Sequence, residues 1–198
     1  ARYENTGETL EYDRTPKKDG LDDSVMEPAD PLVWERERRG AEPLYFENVH
    51  EGDKLAPLKK GTYSVTELFL FTHGVLGTGR STRGALEAEG SADLGGGGRF
   101  DSEHAQKRRN MPGQFDFGPQ RVCWLSQAIT DWMGDHGVLK RLQASVRHPN
   151  IVGDTNTVVG FVSKKLDNNL VEVQVQNQNQ SGLASALGTA TVWLPSKT

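Results

Sequence analysis

The chain has 198 residues, of which 35% are apolar and 25% charged, enough for one sizeable core with length to spare for an arm or an insertion. A formal charge of −4 argues against a general nucleic-acid binder, which needs a basic face. The single cysteine, Cys123, excludes an intrachain disulfide framework and any multi-cysteine zinc site. No apolar run approaches the length of a membrane span and no signal-peptide core is present, so a cytoplasmic chain away from membranes is expected.

Residues 1–42 are charged and lack apolar periodicity. The stretch "TPKKDGLDDSVMEPADP" reads as an extended arm with turns at 18–20 and 28–31. Its apolar anchors Tyr3, Leu10, Tyr12, Leu32, Val33 and Trp34 leave two alternatives, an arm laid over a partner surface and a free tail. From Pro43, "LYFENVHEGDKL" reads as a short strand followed by a polar turn at 51–53. "LKKGTYSVTEL" then alternates at Tyr63 and Val65, and Thr66 is placed as N-cap of a helix in "ELFLFTHGVLG". Residues 77–99 form a glycine-rich insertion of a length rarely idle in a compact domain, with room for a helical turn or two in "RGALEAEGSA".

The clearest helix is "GPQRVCWLSQAITDWMGDHG". Val122, Leu125, Ile129 and Trp132 recur at three- and four-residue steps, with Cys123 and Trp124 widening the stripe. Pro119 suits the first turn, and Gly134 or Gly137 the C-terminal stop. Four β segments follow: "LKRLQASVRHP", "TNTVVGFVSKKL", "LVEVQVQNQNQ" and "ASALGTATVWLP". Their alternation is that of antiparallel strands with one covered face. One broadly apolar helix followed by such strands predicts an α+β hot-dog fold, a curved antiparallel sheet wrapped around a long central helix. The expected organisation is an extended N-terminal arm over residues 1–42 and a hot-dog domain over 43–198, interrupted at about 77–99.

Over residues 43–195 the chain resembles the MaoC-like hydratase/dehydratase family of hot-dog proteins. The matching pieces are "PLYFENVHEGDKL" ahead of "SVTE", "MPGQFDFGPQ" opening the long helix, "ITDWMGDHG", "RHPNIVGDTNTVVGFV" and "NQSGLASALGTATVWLP". The resemblance implies (R)-specific hydration of a 2-enoyl thioester, or the reverse dehydration. A carboxylate and an imidazole would share one water, and a backbone N–H at the start of the central helix would hold the thioester oxygen. It implies no cofactor beyond the coenzyme A of the substrate, and a homodimer, a higher oligomer or a heteromer with a second hot-dog chain.

The chain departs from the family pattern at the acid–base segment. No Asp-x-Asn-Pro-x-His follows "ELFLFTHGVLG"; the insertion stands there instead. "FDSEHA" resembles the segment that follows the family histidine, which places Arg99 where that histidine belongs. Phe117-Gly118 replaces the family's usual His-Gly, so Gly118 keeps the backbone donor while the dyad is lost.

The candidate acids and bases are therefore Asp101, His104, Asp116 and His73. Asp101 and His104 are three apart and can pair on a helical turn, or stand as a solvated pair in a loop. Asp116 can cap the helix that begins at Pro119, or act as the acid or base. His73 ends the first helix, where a helix-capping role competes with a place in the site. His148 and Asp154 read as structural, and His50 and His136 as exposed.

For the ligand, the candidates are Gly118, Phe117, Arg99 and the basic run Lys107, Arg108 and Arg109. That run suits coenzyme A phosphates or plain solvation, and Arg80 and Arg83 are further cations for an acidic ligand. No phosphate loop, metal-ligand cluster or Ser-His-Asp signature is present. Three functions stay open: a hydratase with a relocated acid–base pair, a non-catalytic subunit of a catalytic hot-dog chain, and a thioesterase using Asp101 or Asp116. The hydratase class is the expected one.

Overall fold

The computed structural model describes residues 34–76 and 99–197. The arm before residue 34, the helical turn expected in "RGALEAEGSA", and Arg80 and Arg83 lie outside the described residues, as does the side chain of Arg108.

Five strands form one antiparallel sheet: β1 (Leu58–Thr62), β2 (Val138–Val146), β3 (Thr155–Lys165), β4 (Leu170–Asn179) and β5 (Ala184–Trp193), in the order β1-β3-β4-β5-β2. Val158 and Val162 on β3, Val171, Val173 and Val175 on β4, and Ala186, Ala190 and Val192 on β5 are fully buried. They meet the helix Gly118–Met133, which comes third among the helices and is labelled α3, after α1 (Val65–Leu76) and α2 (Ser102–Arg109). The face of α3 turned to the sheet carries Trp124, Leu125, Ala128, Ile129 and Met133. This is the α+β hot-dog arrangement expected from the element order.

Gly160 shows how closely the strands fit. A Cβ there falls 2.7 Å from the Gln174 carbonyl oxygen and 2.7 Å from Val175 Cγ1 on β4. Backbone cannot swing aside as a flexible side chain can, so Gly160→Ala is expected to cost about 1–3 kcal/mol, read as a lowered midpoint in urea unfolding.

Several expectations require correction. "LYFENVHEGDKL" forms no named strand: Phe46–Asn48 is a 3-10 turn, and the segment's backbone pairs with β3 only over 52–55, through the Lys54–Phe161 bridge and backbone hydrogen bonds to Val162 and Gly160. The Asp53 carboxylate accepts the His50 N–H and bends the chain there, so that its backbone pairs with β3 only from residue 52 on. Ser64, not Thr66, caps α1, since its hydroxyl accepts the Glu67 N–H at 3.1 Å; Val65 is already helical. Cys123 points to solvent, off the apolar stripe, and Val122 and Trp132 flank that stripe half-buried.

At the far end of α3 the stop is Gly134, whose φ of +71° suits a residue without a side chain. Residues 36–40 pack against that end. The Arg39 N–H donates to Asp131 O and its Nε to Trp132 O, both at 2.9 Å, while Arg36 pairs with Asp131. A cavity of about 470 Å³ opens beside Arg38, Lys54 and Asp131. It borders Ala128 and Trp132, roughly 15–20 Å along the helix from Gly118, and so is separate from the site described next.

Candidate acid–base site

The start of α3 is placed by a short antiparallel contact between two loops. Phe115 bridges Ile151, the Val152 N–H donates to Gln114 O, and the Asp116 N–H donates to Asn150 O at 3.0 Å. Asp116 is thereby fixed beside Asn150, immediately ahead of the helix, with only 2% of its surface exposed.

Arg121, on the first turn and a half of α3, reaches back to it. Its Nε lies 2.8 Å from Asp116 Oδ2, and Asn150 Nδ2 donates to the same oxygen at 2.9 Å. Arg121 also donates to Ser185 O at 2.8 Å and to His148 O. Beyond it, Asn177 donates to Ser185 Oγ at 2.6 Å and to Asn156 Oδ1 at 2.9 Å. Among the described residues Asp116 Oδ1 has no hydrogen-bond partner, although it is buried. Burial pushes the Asp116 carboxyl up to about 6, against the pull of Arg121 and of the two Asn150 hydrogen bonds. One oxygen is thus held by Arg121 and Asn150, while the other meets no donor among the described residues.

Asp116 does not cap the helix. The N-cap position is Phe117, which makes no side-chain cap hydrogen bond. A carboxylate drawn to a guanidinium five residues on cannot also turn to its own helix amides. Arg99, expected to meet a ligand, lies over the rings of Phe115 and Phe117 at 5.1 and 5.2 Å, and its Nε donates to Asp116 O at 3.2 Å. It supports the backbone that carries the carboxylate.

The other candidates lie elsewhere. Asp101 is the N-cap of α2: its Oδ1 accepts the backbone N–H of His104 at 2.9 Å, so the two meet through main chain and not as a carboxylate–imidazole pair. His73 shares a 3.0 Å hydrogen bond between Nδ1 and Phe69 O in the last turn of α1, and its ring stacks on Phe69 and lies near Phe100. Lys107 pairs with Glu103 on the exposed side of α2, and Arg109 is exposed there too. Gly118 packs against Val146 and Arg121, with Phe117 half-buried before it and 6.4 Å from Phe71. Among the structural readings, Asp154 orders its turn by accepting the Ile151 N–H at 2.8 Å, and His50 and His136 are exposed.

Sequence reasoning did not single out Arg121, Asn150, Gln120, Tyr63 or Glu67. The Gln120 side chain accepts the Tyr63 hydroxyl at 2.7 Å and donates to Glu67 Oε1 at 2.9 Å. Burial raises the Glu67 carboxyl above the ordinary range, with Lys60 and Gln120 opposing it and the Asp116 charge adding to it. Burial likewise pushes the Tyr63 hydroxyl far up, so it stays protonated. Among the described residues no group of three or more His, Cys, Asp or Glu side chains is placed to hold a metal ion, and no helix is long and apolar enough to cross a membrane.

No family model and no curated protein matches the chain. Solved structures do. The unliganded R-hydratase PhaJ1 from Pseudomonas aeruginosa superposes with a TM-score of 0.58 at 19% identity, covering 78% of this chain and 88% of that one. An (R)-hydratase from A. caviae involved in PHA biosynthesis gives 0.57 at 18% identity, with 75% and 99% covered. The ChsH1-ChsH2 complex from Mycobacterium tuberculosis gives 0.55 at 19%, with 73% and 98% covered. At these identities the likeness is one of fold.

Proposed function

We propose that this chain is a MaoC-like hydratase/dehydratase that adds or removes water across the 2,3-bond of an acyl-coenzyme A thioester. The observation that carries the reading is Asp116, a buried carboxylate at the start of the central hot-dog helix with one oxygen unpartnered among the described residues and its proton affinity raised. Two (R)-hydratases among the structural neighbours support the reaction class.

In this reading the thioester oxygen takes its hydrogen bond from the Gly118 N–H, at the positive end of α3, where the N-cap residue makes no side-chain cap hydrogen bond. Asp116 Oδ1 removes a proton from water as that water attacks C3, while Arg121 and Asn150 hold Oδ2 and keep the carboxylate aimed. Lys107 and Arg109 are the cations on the exposed side of α2 available to coenzyme A phosphates. No cofactor is required, because the only charge that develops lies on the thioester enolate.

A second reading has its own support. The cations acting on Asp116 are Arg121 and Arg99 where the family would use an imidazole, and one structural neighbour is a complex of two named components. Here the chain pairs with a second hot-dog subunit that brings the missing group.

The experiment supplies purified chain with a panel of 2-enoyl-CoA esters and follows loss of conjugated-thioester absorbance. Turnover at an ordinary enzymatic rate, on the order of 1–1000 per second, is expected. A folded chain that turns over no ester alone, but does so with a co-purified hot-dog partner, transfers the activity to the pair. Inactivity in both states overturns the hydratase reading.

A further inference from the structure

Tyr63, Glu67 and Gln120 form a second polar chain at the Asp116 end of α3, with no part in holding Asp116. Gln120 is 2% exposed, and its amide is held between the Tyr63 hydroxyl and Glu67 Oε1. A hydroxyl that stays protonated donates to the glutamine oxygen, which turns the glutamine nitrogen towards Glu67.

The helix that carries Glu67 sinks Leu68 into the core, with Val65 packed beside it, but leaves other apolar side chains outside. On α1, Phe69, Leu70 and Val75 are 40%, 65% and 54% exposed, while Glu67 is half-buried against α3 and the Thr72 hydroxyl is buried without a partner among the described residues. A surface helix ordinarily turns its apolar side chains in and its carboxylates out. Positions where a sequence breaks that local rule are where a site is expected. Three charged or polar groups face Glu67 from the packed elements: Lys60 on β1, Gln120 on α3 and Asp116 ahead of α3.

We propose that Glu67 is the second acid–base carboxyl of this site, taking over from a different position the task the family gives an imidazole and delivering a proton to C2 of the substrate. The inference rests on the hydratase reading of Asp116. In hydration, water gives its proton to Asp116 Oδ1 while its oxygen bonds to C3. The C2–C3 π electrons move onto the thioester as an enolate, and the Glu67 carboxyl then gives its proton to C2. The net uptake is one water, and solvent returns the proton from Asp116 to Glu67. Two carboxyls that feel each other's charge hold one proton between them over a window bounded by two macroscopic values, and that singly protonated state has one base and one acid.

The test is Glu67→Gln, which keeps the shape of the side chain and its place beside Gln120, with its melting temperature checked against wild type. kcat is expected to fall about 100-fold to 10,000-fold while KM changes by less than about threefold. The bell-shaped pH profile of the wild type should keep its acid limb and lose its alkaline one. Glu67→Asp should recover part of the loss, which a merely structural role for Glu67 does not predict. Wild-type turnover with a silent Glu67→Gln substitution overturns the assignment of Glu67 and leaves the hydratase reading standing. Absence of turnover in the wild type, alone and with any co-purified partner, overturns both.

Discussion

Replacing Arg121 with methionine is expected to destabilise the fold by roughly 3–5 kcal/mol at neutral pH, read from chemical unfolding. Arg121 is 4% exposed, and its loss strips one buried carboxylate and two carbonyl oxygens of their donor at once. Breaking a buried pair from one side costs far more than replacing both members, because the remaining charge is stranded. The double variant Arg121→Met/Asp116→Leu should therefore recover most of the loss.

The pH dependence has a definite sign. The Asp116 carboxyl sits at about 6 in the folded chain against an ordinary 3.8, so the native state binds the proton more tightly than the unfolded chain. Wild-type stability from this group is greatest below about pH 4 and falls as pH rises towards about 6. In Arg121→Met the carboxyl lacks its cation and rises further. The deficit of that variant should accordingly shrink on acidification.

Asp116→Asn is expected to leave the chain folded and to lower turnover about 100-fold to 10,000-fold, the usual scale for loss of a positioned acid or base. Asparagine still accepts from Arg121 and Asn150 through its amide oxygen, so the geometry of the loop contact should survive. Only proton uptake at the second atom is removed. A fall in kcat with little change in KM would place the loss in the transition state and not in ground-state binding.

The fold was legible because its signals are periodic. The "VCWLSQAITDWM" stripe and the alternating valines of "TVVGFV" and "VEVQV" each specify one covered face, and Pro119 and Gly134 mark the ends of the helix between them. Asp116 was legible as a candidate because a carboxylate just ahead of a helix has few neutral roles. Its partners were not, since Arg121 and Asn150 lie 5 and 34 residues away and are brought in by the pairing of residues 114–116 with 150–152. Arg121 left one trace, a charged residue at a core-facing position of α3. Glu67 left another, a carboxylate on a helix so apolar throughout that its sequence does not show which side chains turn inward. Asp101 and His104 misled because a three-residue spacing suits a helix cap as well as a catalytic pair, and the cap forms locally with no tertiary help.

Asp116, as proposed, works as the base of a hydratase, and that role has a direct test. The test is the pH dependence of kcat/KM for 2-enoyl-CoA hydration, in wild type and in Asp116→Asn, from about pH 4.5 to about 8.5. An acid limb near about 6 in the wild type is predicted, with the rate collapsing in Asp116→Asn across the whole range. A wild-type rate that stays level through that limb, or an Asp116→Asn enzyme that matches the wild type, would contradict the account.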